Sequence, residues 1–179
     1  MDNFRLLDQN GASHDLYYLS DAKAVVIMVH GNGCPIVRKT LPGLREIREQ
    51  YRAQGVEFLL LNSNPQDDRE TVAKEAAEFG IDMPILIDET QLIGEALGVE
   101  RTADVFVIDP KTWKLAYRGP LDDRISYGAE RPAASKQYLT EAIDSVLAGK
   151  PVAITQAEAV GCLVNFPERE HKDAHEKIS

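Results

Sequence analysis

Apolar residues fall along the chain in short blocks separated by turn residues. Phe4, Leu6 and Leu7 precede the pair Asn10-Gly11, and Leu16, Tyr17, Tyr18 and Leu19 follow it, which predicts a hairpin over Phe4–Leu19. Ala24 to Val29 is an unbroken apolar run rich in β-branched residues, as in a strand buried on both faces. It ends in the turn signal His30-Gly31-Asn32-Gly33. A helix is predicted from Cys34, because Pro35 fits a first position whose N–H is not needed. Ile36, Leu41, Leu44, Ile47 and Tyr51 supply its apolar stripe and Gly55 its end. Val56–Leu61 reads as a second buried strand, and Asp68–Phe79 as a helix stopped at Gly80. Pro84–Ile87 reads as a short strand, Gln91–Leu97 as a short helix stopped at Gly98, and Val105–Ile108 as another strand. Asp109-Pro110-Lys111-Thr112 makes a turn, after which Trp113–Tyr117 returns antiparallel. Ser135–Leu147 is the last predicted helix, capped by Ser135 and closed by Gly149.

This alternation predicts an α/β sheet with helices on both faces and an antiparallel edge. Residues 1–150 form one expected domain. Residues 151–179 form an expected arm carrying Cys162: Val152–Phe166 is extended, and Glu168–Ser179 is a charged, mobile tail. No internal repeat or low-complexity segment is found.

Composition narrows the partners. A hydrophobic fraction of 44% and a charged fraction of 27% are those of a globular protein. Acidic residues outnumber basic ones 29 to 20, and the net charge of −9 disfavours nucleic acid and anionic membranes. No stretch approaches the roughly 20 apolar residues that span a bilayer. Met1-Asp2-Asn3-Phe4-Arg5 does not open a signal peptide, so a cytoplasmic setting is expected. The two cysteines, Cys34 and Cys162, are then not expected as a structural disulfide, and are too few for a zinc site without histidines.

The candidate chemistry sits where the first buried strand meets its helix. A cysteine at a helix N-terminus faces unpaired N–H groups and the positive end of the dipole, both of which favour a thiolate. The thiolate is the nucleophile in disulfide exchange and in peroxide reduction. Arg38, one turn on, adds positive potential. The competing reading of Cys34 is an inert buried thiol. His30, at the strand end, is a candidate base or thiolate partner, or a residue that merely ends the strand. Arg101 and Thr102, before the strand Val105–Ile108, are candidates to orient a peroxide or a substrate backbone, or Arg101 is a solvated surface arginine. Asn62-Ser63-Asn64 is a ligand loop or a plain turn, and Asp122-Asp123-Arg124 a rim or a charged surface turn. His14, His171 and His175 show no ligand-like spacing. Cys162 is either a resolving cysteine brought to Cys34 by a flexible arm or a packed apolar residue between Val160 and Leu163.

Cys34-Pro-Ile-Val-Arg-Lys-Thr-Leu-Pro42 resembles the active-site stretch of thioredoxin-like proteins, in which a nucleophilic cysteine opens a helix and a proline eight residues later kinks it. Phe-Arg-Leu-Leu-Asp-Gln-Asn-Gly at residues 4–11 resembles the N-terminal extension of the redoxin and peroxiredoxin branch (the AhpC/TSA type). Leu97–Asp109 resembles the segment that presents a strand beside the active cysteine. Tyr117-Arg-Gly, Leu121–Arg124 and Val160-Gly-Cys-Leu163 resemble stretches of a bacterial redoxin subgroup. The resemblance implies a thioredoxin-like three-layer fold with a central mixed sheet and an N-terminal hairpin extension, with Cys34 as nucleophile. The departures are specific. Val37 stands where a Cys-x-x-Cys motif has its second cysteine, and Gly31 where peroxiredoxins carry a threonine or serine. Ala103 stands where the family has a cis-proline, so a trans bond and a reshaped groove are expected. Met28 stands where thioredoxins bury an acid.

Two classes of function follow. In the first, the protein is a thiol oxidoreductase. Cys34 is oxidised by a peroxide or by a protein or small-molecule disulfide, Cys162 is the candidate resolving cysteine, and an external thiol reductant resets the pair. No cofactor or metal is implied. In the second, a thioredoxin-like binding module has lost efficient catalysis. Metal delivery, a minor third option, requires Cys34, Cys162 and a histidine such as His30 to converge.

Overall fold

The computed structural model of the protein describes residues 1–126, 129–130, 132–158 and 160–164. Two short strands open the chain, β1 (Arg5–Leu7) and β2 (Ser13–Asp15), paired antiparallel with Leu6 opposite His14. The strands are shorter than the predicted hairpin, because Leu16–Leu19 is a turn of 3-10 helix. Asp15 sets the change: its side chain accepts the Tyr17 N–H at 3.1 Å, as a helix cap does.

Next come β3 (Ala24–His30), α1 (Pro35–Tyr51), β4 (Val56–Asn62), α2 (Arg69–Glu78), β5 (Ile85–Ile87) and α3 (Leu92–Leu97). They are followed by β6 (Val105–Asp109), β7 (Lys114–Gly119), a two-residue pair β8 (Ile125–Ser126) and β9 (Ala129–Glu130), and α4 (Tyr138–Leu147). The central sheet has the order β5-β4-β3-β6-β7. β3, β4 and β5 are parallel, whereas β6 runs antiparallel to β3 and β7 antiparallel to β6.

All seven residues of β3 are buried, which is why its sequence is apolar without alternation as far as His30. On one face Val26, Met28, Leu60 and Val105 meet Leu41 and Leu44 of α1, Val72 of α2 and Ile143 of α4. On the other, Val25, Ile27, Leu61 and Phe106 meet Phe4 and Leu16 of the N-terminal segment, Leu97 of α3, and Val164. Each such side chain, fully buried, contributes about 1.5–3 kcal/mol. The result is a three-layer, thioredoxin-like α/β fold with an N-terminal hairpin.

Three local expectations need correction. α4 begins at Tyr138, not Ser135. The Ser135 N–H and hydroxyl are both held by the Asp123 carboxylate, which also accepts the Lys136 N–H at 3.0 Å, so Ser135 is not available as a cap. Trp113 does not start the returning strand but sits in the turn at φ +57, its ring stacked on Tyr17 at 4.5 Å. Gln91 at φ +61 is the N-cap of α3 rather than its first residue.

The segment after α4 lies on the domain. Arg118 N–H donates to Thr155 O at 3.0 Å and Ala157 N–H to Arg118 O at 3.2 Å. The chain then crosses to Glu100–Thr102, where Thr102 N–H donates to Cys162 O at 2.8 Å and Val164 N–H to Glu100 O at 2.9 Å. The expectation for residues 168–179, and for Phe166, lies outside the described residues. No helix among the described residues is long and apolar enough to cross a membrane.

Candidate active site

β3 delivers the chain to Gly31-Asn32-Gly33, and α1 takes off at Pro35 with Cys34 as its N-cap at φ −74, ψ 116. The first turn of α1 carries no acidic residue to cancel the positive end of its dipole. Gly33 is at φ +72, a conformation glycine adopts without strain. The side chain missing at Gly31 has a steric cause. A Cβ there would lie 2.8 Å from Asn64 Nδ2 and 2.8 Å from Thr102 Cγ2.

Thr102 brings a hydroxyl to Cys34 from the other side. Its Oγ1 is 3.1 Å from Cys34 Sγ and also accepts the Cys162 N–H at 3.0 Å. Cys162 Sγ is itself 3.1 Å from Cys34 Sγ. Both cysteines are thiols. A disulfide bond of about 2.05 Å would need the sulfurs to close by roughly 1 Å. Cys34 is only 5% exposed, whereas Cys162 is exposed. The backbone at Gly161 makes the close approach possible, because a Cβ there would meet Thr102 O at 1.8 Å. Arg101 helps to hold the segment by donating from Nη1 to Gly161 O at 2.9 Å.

The two thiols are unequal. Burial works against a Cys34 thiolate, but the Thr102 hydroxyl, the Cys162 thiol and the N–H groups of Val37 and Cys162 outweigh it and bring the Cys34 pKa below its ordinary value. Cys162 moves up, first because its thiol bonds to Cys34 and second through burial. Of the two, Cys34 is therefore the one that ionises more readily, with the Cys162 S–H placed to donate to it.

His30 and Arg38 are not part of this contact. Asn62 Oδ1 accepts the Asn64 N–H at 2.9 Å, which fixes the amide so that Nδ2 donates to Asp67 Oδ2 at 3.1 Å and to His30 Nδ1 at 3.2 Å. His30 Nδ1 is thus an acceptor, and Nε2 carries the proton, 3.6 Å from Glu75 Oε2. Burial lowers the His30 pKa, against the pull of Glu75 and Asp67, and so favours the neutral ring. Of the two readings of His30, a partner of Cys34 or a residue that ends the strand, the contacts fit the second: it is a member of a polar network behind the loop. Arg38 donates to Glu75 Oε1 at 2.8 Å and lies over the Phe79 ring at 4.3 Å from its centroid. Glu75 Oε1 also accepts the Gly33 N–H at 2.7 Å. Sequence reasoning missed Glu75. Thr71 and Glu75 share one face of α2 and meet Asn32 Nδ2 and Gly33 N–H, but their i, i+4 spacing does not say what they face.

Pro35 and Ala103 shape the site through the backbone. No peptide bond among the described residues is cis, and Ala103 sits at φ +66 with its N–H donating to Val29 O at 2.8 Å. A non-glycine residue in that region costs about 1–3 kcal/mol.

Met28 is buried and apolar, as its sequence position suggests, yet a buried acid stands just before β6, the strand that pairs with β3. Asp104 O accepts the Val29 N–H at 2.9 Å, and its side chain is 3% exposed with Oδ1 unpartnered. Burial pushes its carboxyl up to about 7, against the pull of Arg118. Met28 pairs with Val105 on the Cys34 face of the sheet, which sets Val29 and Asp104 on the opposite face.

The remaining candidates serve the scaffold. Asn62 and Asn64 hold Asp67, and Ser63 Oγ donates to Asp88 Oδ2 at 2.8 Å. Arg124 pairs with Asp122 at 2.9 Å, and His14 with Asp8 at 2.7 Å. His171 and His175 lie outside the described residues. Among the described residues no three His, Cys, Asp or Glu groups converge as metal ligands, and His30 does not join the two sulfurs.

Comparison with known proteins agrees with this architecture. A solved structure of an uncharacterized conserved protein from Geobacillus kaustophilus is 32% identical, covers 92% of this chain and 89% of its own, and has a TM-score of 0.77. The thiol-disulfide oxidoreductase ResA of Geobacillus thermodenitrificans is 32% identical over 107 residues, 60% of this chain and 60% of that protein. The chain thus spans about 60% of the length of that curated relative. The peroxidoxin BcpB of Mycobacterium tuberculosis shares the fold at 19% identity, with a TM-score of 0.61 over 82% of this chain and 94% of that one. The family model for Redoxin matches residues 1–135, which carry the sheet, the Cys34 helix and Thr102, and the chain belongs to the Redoxin family.

Proposed function

We propose that the protein is a thiol-dependent oxidoreductase that cycles between a Cys34/Cys162 dithiol and a Cys34–Cys162 disulfide. The observation that carries this reading is the 3.1 Å contact between the two sulfurs, with the charge favoured on Cys34. The Cys34 thiolate attacks a substrate disulfide, forms a mixed disulfide and expels one thiolate. Cys162, losing its proton, attacks Cys34 Sγ and expels the second thiol, which takes up a proton. Two thiols are oxidised and one substrate disulfide is reduced. An external thiol reductant restores the dithiol. The name of the ResA relative supports exchange as the chemistry.

Peroxide reduction is the second reading, favoured by the 5% exposure of Cys34, which suits a small oxidant. There Cys34 attacks one peroxide oxygen, giving a sulfenic acid and an alcohol or water, and Cys162 displaces water from the sulfenic acid.

The test is oxidation of the reduced protein by glutathione disulfide or by hydrogen peroxide, read by non-reducing peptide mass spectrometry. A Cys34–Cys162 disulfide is expected. In C162S the product on Cys34 separates the two chemistries: a glutathione adduct marks exchange, and a sulfenic acid marks peroxide reduction. Two cysteines that stay reduced under both oxidants would replace this reading with that of a binding module.

A further inference from the structure

We propose that Thr102 is a positioning residue that ties the 160–164 segment to the nucleophile: its one hydroxyl holds Cys34 Sγ on one side and the backbone of Cys162 on the other. The inference rests on the Cys34–Cys162 pairing proposed above and adds what keeps the two sulfurs together.

A hydroxyl has one hydrogen to give and lone pairs to receive. At Thr102 the oxygen accepts the Cys162 N–H at 3.0 Å, which leaves its hydrogen for Cys34 Sγ at 3.1 Å. The same residue's backbone N–H donates to Cys162 O at 2.8 Å, so Cys162 is clamped at both its N–H and its carbonyl by one residue. Thr102 is 1% exposed, which keeps water from competing for either bond. Its rotamer is held by the methyl group, which occupies the space beside Gly31. Docking of the segment and the state of Cys34 are therefore linked. When the segment leaves, Cys34 loses the Cys162 S–H and N–H, and the hydroxyl of Thr102 loses the partner that orients it.

The test compares wild type with Thr102→Val, Thr102→Ser and Gly161→Ala. Two quantities are read by peptide mass spectrometry: the pH profile of Cys34 alkylation by iodoacetamide in the reduced protein, and the rate at which the Cys34–Cys162 disulfide forms after a pulse of glutathione disulfide. Thr102→Val is expected to move the alkylation profile to higher pH and to slow ring closure about tenfold, the scale of one hydrogen bond to a charged group. Thr102→Ser is expected to recover most of both, because it keeps the hydroxyl. Gly161→Ala, whose Cβ would collide with Thr102 O, is expected to shift the profile in the same direction as Thr102→Val. The proposal is overturned if Thr102→Val matches wild type. It is equally overturned if Thr102→Ser is as impaired as Thr102→Val, which would assign the effect to methyl packing, or if Gly161→Ala leaves the profile unchanged. If wild type itself closes no disulfide, the pairing proposed above fails, while the alkylation profiles still decide the role of Thr102. Circular dichroism checks that each variant folds, and Thr102→Ser with Gly161→Ala decides the matter if Thr102→Val does not.

Discussion

Thr102 fills, from a segment 71 positions further on, the space a side chain at Gly31 would need: a Cβ on Gly31 would lie 2.8 Å from Thr102 Cγ2. The hydroxyl that peroxiredoxin-like sites carry three residues before the cysteine is absent, and Thr102 presents one to Cys34 instead. Gly31→Ala is expected to push Thr102 off Cys34 and to destabilise the protein by about 1–3 kcal/mol through overpacking. Urea unfolding measures the loss. A variant as stable as wild type, with an unchanged rate of disulfide closure, would mean that the Thr102 backbone yields to the methyl group.

Asp104 predicts a pH dependence. Its carboxyl, pushed up to about 7 by burial, keeps its proton in the folded state across a range where the unfolded chain has released it. Stability therefore falls as pH rises from about 4 to about 7, and stays reduced above that. Asp104→Asn removes the titration. It is expected to flatten the profile and to be more stable than wild type at pH 8 by about 2–4 kcal/mol. Denaturant midpoints at half-unit steps from pH 4.5 to pH 8 provide the check, and parallel curves for the two proteins would sink the account.

Glu75 holds the loop before Cys34 by accepting from Gly33 N–H and Arg38. Glu75→Ala leaves the Gly33 N–H without its carboxylate. The expected cost is about 0.5–1.5 kcal/mol, because water reaches the exposed N–H, with faster hydrogen exchange in the peptide over residues 31–36. Exchange unchanged from wild type would show that the loop is held by its neighbours rather than by Glu75.

Oxidation is expected to stabilise the fold. A Cys34–Cys162 bond joins residues 128 positions apart, and closing so long a loop in the unfolded chain is worth up to about 4–5 kcal/mol. Calorimetry on the reduced and oxidised forms should place the oxidised midpoint roughly 10 °C higher. Equal midpoints would mean that the oxidised pair strains the native state by as much as loop closure stabilises it.

Much of the fold was legible along the chain. β3 could be read because a central strand covered on both faces is apolar without alternation, and its first six residues, Ala24 to Val29, are. The start of α1 could be read because Pro35 and the glycines before Cys34 act locally. Ser135 was misread as a cap for a non-local reason: Asp123, twelve residues earlier, holds its N–H. Leu16–Leu19 was misread because the Asp15 cap outweighs the β propensity of Tyr17 and Tyr18.

The site divides along the same line. The place of Cys34 at a helix N-terminus follows from residues within a few positions of it, where backbone geometry repeats whatever the rest of the chain does, whereas its acidity draws mainly on Thr102 and Cys162. The partners of that sulfur follow from nothing local. Thr102 and Cys162 reach it because β6 lies antiparallel beside β3 and because the 160–164 segment pairs with Glu100–Thr102. His30 lies only four residues before Cys34, yet its ring nitrogens face Asn62 on β4 and Glu75 on α2. Periodicity along a chain reports which side of an element is buried. Which group waits on that side is decided when distant segments meet, and here that meeting placed a hydroxyl and a second thiol, rather than an imidazole, beside Cys34.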